Sequence, residues 1–209
     1  MADDSTYTYG WDNDMAPGSC DYVAPAVLDI LKDLGVSRVV DLGAGNGALC
    51  AMMKTQGLDA VGLEYDREGC AVARRANPGI PFYNLSVEED PAHLLATEAP
   101  FDAVVSTEVI EHLYAPHFLP IFAAQVLKPG GHIVISTPYH GYLKNLALSV
   151  FDKWDFHHTP LWHGGHIKFW SRKTLTQLLE TNGFQVTNFT GVGRVPFLWK
   201  SMILIARKV

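Results

Sequence analysis

Two groups of residues in this chain have types and spacings suited to chemistry. The first is Asp41-Leu42-Gly43-Ala44-Gly45-Asn46-Gly47. Three glycines at alternate positions, entered from the apolar pair Val39-Val40, predict a tight turn at the carboxyl end of a buried strand, where open α/β sheets take ligands. Nineteen residues beyond Gly45, Glu64 closes a second strand-like run, Ala60-Val61-Gly62-Leu63. A carboxylate at that strand end can accept both hydroxyl hydrogens of a ribose, so Gly43, Ala44, Gly45, Gly47 and Glu64 point to a nucleoside-containing cofactor. The second group is Glu108-Val109-Ile110-Glu111-His112. If a helix begins near Thr107, Glu108, Glu111 and His112 share one face. Two carboxylates and an imidazole can bind a divalent cation. Eight of the nine histidines lie between positions 112 and 166, including His163-Gly164-Gly165-His166, so a further imidazole could come from that stretch. The ordinary reading stands beside this one. Acids in a first helical turn are favoured by the helix dipole alone, and loop histidines are commonly solvated.

These residues need a scaffold, and the chain spells one. Strand-like runs at 38–42, 59–64, 81–85, 101–106 and 132–136 alternate with helical patterns at 22–34, 47–56 and 66–76. That alternation predicts a parallel sheet. Asp66 reads as an N-cap, and Pro78 stands just past that helix's end. A last helix over 171–182 ends at Asn182-Gly183, before strands at 184–190 and 198–206. Residues 138–170 form a long insert, expected to roof an acceptor pocket, because structureless loops of such length are uncommon unless functional. Within it, Tyr142-Leu143-x-x-Leu146-Ala147-Leu148-x-x-Phe151 has helical apolar spacing. It reads as a lid packed on its own domain, or as a surface touching a membrane or a hydrophobic acceptor. Tyr9 and Trp11, within residues 1–20, could cap the cofactor as a lid or belong to a mobile tail.

Composition narrows the class. The chain has 209 residues, 48% of them hydrophobic, which suits one domain over 1–209. Sixteen basic residues stand against 22 acidic ones, a net charge of −6 without a long basic run. A duplex nucleic-acid surface needs clustered positive charge, so nucleic acid is disfavoured as a partner, although folding could still assemble a basic groove. Cys20, Cys50 and Cys70 have no paired spacing and read as reduced thiols. The first 14 residues are polar and lack a signal-peptide pattern, and no apolar run reaches 18 residues. A cytoplasmic protein without a transmembrane segment is the expectation.

Gly43-x-Gly45-x-x-Ala48 also satisfies the dinucleotide fingerprint. Three features point elsewhere. Asp41, two residues before the first glycine, could face a cationic amino group. Gly47 is a glycine that the dinucleotide spacing does not require. Leu127-Lys128-Pro129-Gly130-Gly131 leads into Ile133-Val134-Ile135-Ser136. Together these resemble class I S-adenosylmethionine (SAM)-dependent methyltransferases over roughly residues 20 to 206. The resemblance implies an α/β, Rossmann-like fold: a seven-stranded, mostly parallel sheet with one antiparallel edge strand and helices on both faces. It implies SAM as cofactor, with Asp41 near its amino group, the Gly43–Gly47 turn along its methionine part and Glu64 on the ribose. Tyr65 would lie against the adenine, flanked by Ser86 and Val87, with Thr107 at the neighbouring strand end.

The second group carries a resemblance of its own. Glu108-x-x-Glu111-His112 matches a motif of the ubiquinone-biosynthesis O-methyltransferases and of the small-RNA 3′-terminal 2′-O-methyltransferases. Both use it with a later histidine to hold a divalent metal. Gly165-His166-Ile167-Lys168-Phe169-Trp170-Ser171-Arg172 is similar to the segments bearing that histidine. The resemblance therefore implies Glu108, Glu111, His112 and His166 as ligands for Mg, Mn, Fe or Zn, with His163 in reserve. Leu85-Ser86-Val87-Glu88-Glu89 resembles the ubiquinone group's adenine loop. Two departures bear on the acceptor. Lys168-Phe169-Trp170 lacks the glutamate of the RNA group's Phe-Glu-Trp run, and the insert 139–158 matches neither group. Without metal, His112 could act as general base, and Glu108 stands near enough to the glycine turn for either role. The leading expectation is a metal-assisted O-methyltransferase acting on a small-molecule hydroxyl. Its alternatives are methylation of an RNA 3′ end, a non-catalytic SAM-binding subunit, and dinucleotide binding. Acceptor, ion and oligomeric state stay open.

Overall fold

The computed structural model describes residues 13, 15–158, 160–161 and 164–209. Tyr9, Trp11 and His163 lie outside the described residues. The chain runs α1 (Cys20–Leu34), β1 (Arg38–Leu42), α2 (Ala48–Thr55), β2 (Asp59–Leu63), α3 (Arg67–Ala76), β3 (Phe82–Tyr83) and α4 (Ala92–Leu95). It continues through β4 (Phe101–Thr107), a 3₁₀ turn (Ile110–His112), α5 (Phe118–Val126), β5 (Leu127–Pro138), α6 (Tyr142–Val150) and α7 (Trp154–His158). It ends with α8 (Arg172–Glu180), β6 (Phe184–Val192) and β7 (Ser201–Lys208). The strands form one seven-stranded sheet in the order β3-β2-β1-β4-β5-β7-β6.

Alternation along the strands divides the core. Val39, Ala103, Val105 and Val134 face α1, α2 and α3, where Val27, Leu31, Cys50, Met53 and Ala73 pack. Their neighbours Val40, Leu42, Val104, Ile133 and Ile135 face the other way, onto Leu119, Phe122, Leu175 and Leu179 of α5 and α8. Because strand side chains alternate in direction, one apolar run serves two helical layers. β1 pairs in parallel with both β2 and β4. The chain crosses from one side of β1 to the other between these neighbours, opening a crevice at the strands' carboxyl ends. The Gly43 turn and Thr107 both lie there.

The seven-stranded, mostly parallel sheet is as expected, and so is the Asp66 cap, whose side chain accepts from Gly69 N at 2.9 Å. The antiparallel pairing at one edge is there too: the reversed strand β7 pairs with both β5 and the edge strand β6. The helix expected from Thr107 is absent. Thr107 still belongs to β4, and Glu108 takes φ 54°, which a right-handed helix cannot continue. Only the short turn Ile110–His112 follows, and a full helix waits until Phe118.

Gly47 also corrects its expected role. Its φ is 82°, and a Cβ there would stand 2.7 Å from Phe82 Cζ and 3.0 Å from Asn77 Nδ2. The residue lets α2 start against α3 and β3; it does not face the crevice. Gly47→Ala is expected to destabilise the fold by about 2–4 kcal/mol, combining a left-handed backbone with overpacking. A shifted urea midpoint at unchanged slope is the check.

Candidate active site

The glycine turn is held mainly from the second strand. Gly43 N and Ala44 N both donate to Leu63 O at 2.8 Å. Gly45 N donates to Glu64 Oε2 at 2.7 Å, and Asp66 N donates to Glu64 Oε1 at 2.7 Å. One carboxylate thus joins the turn after β1 to the turn after β2. Each of its oxygens keeps a second lone pair for a ligand hydroxyl. Burial pushes the Glu64 carboxyl up from its ordinary range, while the Asp66 and Gly45 amides pull it down. A side chain on Gly43, whose φ is 85°, would collide with Val109, so the turn closes directly on the segment after β4.

Asp41 lies under this turn, 1% exposed. Its Oδ2 accepts the Cys50 thiol at 3.7 Å, and its Oδ1 is buried without a hydrogen-bond partner. Burial, helped by the charge of Glu64, pushes its pKa up to about 7 against the pull of the Cys50 thiol. A buried acceptor atom left alone at a crevice fits a cationic ligand group such as the amino group of SAM.

One cavity of about 930 Å³ runs from this turn to the second group of residues. Of the residues expected from sequence, Asp41, Gly43, Ala44, Gly45, Glu64, Tyr65, Ser86, Val87, Thr107, Glu108, His112 and His166 line it. Gly47 and Glu111 do not. Glu111 sits behind the wall, 1% exposed, and its Oε2 accepts from Thr137 Oγ1 at 3.0 Å. Its backbone carbonyl accepts from Ile167 N at 2.9 Å and Lys168 N at 3.0 Å, which brings the neighbouring His166 alongside. Ligand atoms of Glu111, His112 and His166 all fall within 4.8 Å of one another. Glu111 Oε1 is buried without a hydrogen-bond partner. Burial and the nearby Glu108 charge push its carboxyl well up. Burial pulls His112 down, although the backbone of Gly165 and Gly164 opposes this. One carboxylate and two imidazoles could hold a divalent cation.

Glu108 does not join that trio. Ser136 Oγ donates to its Oε1 at 2.7 Å and Ser201 Oγ to its Oε2 at 2.9 Å, so the left-handed residue points its carboxylate at two strand ends. Burial raises its carboxyl, and the two serines lower it.

Sequence reasoning missed the cations of this cavity. Lys144 on α6 is 3% exposed and donates from Nζ to Lys200 O at 3.1 Å. Burial, reinforced by Arg194, pulls its pKa down to about 8 while Glu108 opposes. The available signal was a lone lysine inside the apolar pattern of 142–151. Meanwhile Tyr142 is 78% exposed, and Leu143, Leu146, Val150 and Phe151 are exposed too. The apolar side of α6 therefore does not pack on its own domain; the lysine is the side chain that enters. Among the described residues, no helix is long and apolar enough to cross a membrane. Asn46 was also missed: its Nδ2 donates to Met15 O at 2.7 Å and Asn13 O at 3.1 Å, tying the entering chain to the turn.

Comparison with known proteins places this geometry. The methyltransferase domain family matches residues 19–188. The ubiquinone biosynthesis O-methyltransferase of Bradyrhizobium diazoefficiens is 30% identical over 177 residues, covering 80% of this chain and 66% of the relative. That of Aliivibrio fischeri is 28% identical over 170 residues, covering 79% and 71%. Magnesium protoporphyrin IX methyltransferase from Synechocystis, solved with bound S-adenosylhomocysteine, superposes with a TM-score of 0.67 at 16% identity, over 89% of this chain and 82% of that one.

Asp41 sets a pH dependence. Its folded pKa lies above the unfolded value near 3.8, so the stability it contributes is present below pH 4 and lost as pH rises through about 7. Without ligand, the wild-type protein should lose up to a few kcal/mol across that window, and Asp41→Asn should flatten the slope. Denaturant midpoints from pH 4 to 8 check this.

Proposed function

Because this chain belongs to the methyltransferase domain family and is a SAM-dependent methyltransferase, we propose that it methylates a hydroxyl oxygen of a small molecule with the help of a divalent cation. The observation that carries this reading is the single cavity joining the Gly43 turn and Glu64 to His112 and His166. Support for an oxygen acceptor comes from the ubiquinone-biosynthesis relatives, which are O-methyltransferases. The same matches favour the sulfonium donor over the dinucleotide alternative.

SAM, when bound, supplies a methyl group on a positively charged sulfur, transferred by in-line displacement. The protein's share is then positioning, which can supply much of a rate enhancement. Asp41 Oδ1, lacking a partner, would meet the donor's ammonium; the backbone of Gly43 to Gly45 would run beside the methionine portion. Glu64, already fixed by two amides, would take the ribose hydroxyls, and Tyr65, Ser86 and Val87 would border the adenine. Thr107 and Glu108 line the same cavity. Glu111, His112 and His166 would hold the cation, whose chemistry when bound is to lower a hydroxyl's pKa and fix its direction. Glu108, with its carboxyl raised by burial, is placed to accept the hydroxyl proton; His112, kept neutral by burial, is the base if the cation is dispensed with. Lys144 and Arg194 line the acceptor end and favour an acceptor bearing negative charge.

Glu64→Ala is expected to weaken SAM binding roughly 10²–10³-fold by calorimetry, since hydrogen bonds to a charged acceptor and the Gly45 tether are lost together. Glu111→Ala, or removal of metal, should slow methyl transfer at least about 10²-fold while SAM affinity changes little. Catechol-type phenols should be methylated and RNA 3′ ends should not. Full activity after stringent metal removal would refute the metal role, and methylation of RNA alone would reassign the acceptor.

A further inference from the structure

The insert carries a second group of imidazoles that the methyl-transfer reading does not use. His140 follows β5, while His157 and His158 end α7. One ligand nitrogen from each lies within 4.8 Å of the others. Nε2 of His140 and both ring nitrogens of His158 are buried without a hydrogen-bond partner. Buried polar atoms are almost always partnered, and leaving them alone costs free energy. Ring packing accounts for part of the arrangement. His140 and His158 stack with centroids 5.6 Å apart at 19°, and Phe169 presents its edge to both, at 5.2 and 5.0 Å. Stacking, however, engages ring faces and leaves the in-plane lone pairs idle. Successive helical side chains normally diverge, yet the His157 and His158 rings are 4.8 Å apart.

We propose that His140, His157 and His158 form a zinc site, separate from Glu111, His112 and His166, which fastens α6 and α7 over the acceptor end of the cavity. Three imidazoles without a carboxylate select a borderline transition metal over magnesium or calcium, which want oxygen ligands. Nitrogens around tetrahedral zinc stand about 3.4 Å apart, so modest side-chain rotation closes this group onto an ion. Burial holds all three imidazoles below their ordinary range, which keeps their lone pairs available at neutral pH. Phe169 and Trp154, the latter with its ring 4.3 Å from that of His158, shield the group. Lys144 opposes the ion, as does Arg194 at His157, and Lys144 belongs to the helix the ion would pin. Because His157 also lines the cavity, the site joins the fastening of the insert to the shape of the acceptor pocket. Three protein ligands leave a fourth position for water or an acceptor atom.

The test uses the full chain in a Glu111→Ala background, which disables the first group and so separates this proposal from the metal role above. After chelation and dialysis against a zinc buffer, that variant should retain about one zinc per chain by mass spectrometry of the metal. Cobalt substituted for zinc should give the visible absorption of a four-coordinate site. Adding His158→Gln should weaken zinc binding at least about 100-fold and abolish both the zinc-induced rise in Tm and the protection of residues 140–158 from protease. Circular dichroism shows whether each variant is folded; if His158→Gln is not, His140→Gln in the same background serves. Absence of zinc from the Glu111→Ala protein, or equal zinc retention after a folded histidine replacement, would overturn the proposal.

Discussion

The carboxylate of Glu64 is the hinge on which the site depends. It sits where two adjacent parallel strands end, and it receives one amide from each of the following turns, Gly45 N and Asp66 N. Neither turn could satisfy those amides by sheet pairing, because both have left the sheet. The glutamate fixes the separation of the two turns and faces the cavity with acceptor capacity to spare. Removing Cβ atoms at Gly43 and Gly47 lets the same turn close onto Val109 on one side and Phe82 on the other. The turn is therefore rigid for reasons of packing as well as hydrogen bonding.

Around that hinge the molecule holds buried carboxyls with incomplete partners. Asp41 under the turn and Glu111 behind the wall each keep one oxygen without a hydrogen bond. Both carboxyls are raised chiefly by burial. Such groups are costly to a fold and useful to a site, since a cationic ligand relieves the same desolvation that burdens the empty protein. Under the proposed function, SAM would bring that cation to Asp41 and a divalent metal would bring it to Glu111. Glu108 is instead satisfied by two serine hydroxyls, which fits the proton-accepting role proposed for it better than a ligand role.

Much of the frame was legible because it rests on local rules. Runs of β-branched residues ending in alternate glycines mark β1, and Asp66 three residues before Gly69 marks a helix start. Acid spacing misled at Glu108, where a non-glycine residue in the left-handed region ended the expected helix before it began. The reversed β7 lies inside β6 because strand order depends on the long connection, which short-range pattern does not reveal. Lys144 was hidden by its setting. Its helix reads as a lid packed on its own domain or as a surface meeting a membrane or a hydrophobic acceptor, and the fold turns the apolar side outward and draws the lysine in. The group of Glu111, His112 and His166 was expected from its motif, whereas His140, His157 and His158 were visible only as part of a crowding of imidazoles between 112 and 166. Their division, with His166 joining Glu111 through the backbone of the following residues and His140 meeting a one-turn helix, is a product of tertiary packing.

The most direct measurement is a crystal structure of the full chain grown with S-adenosylhomocysteine. Density is expected in the crevice at the ends of β1 and β2, with ribose hydroxyls on Glu64, the amino group on Asp41 and the sulfur directed toward Glu108 and His112. A ligand bound elsewhere, or seated there with neither carboxylate within hydrogen-bonding distance, would contradict the assignment of this turn as the donor site.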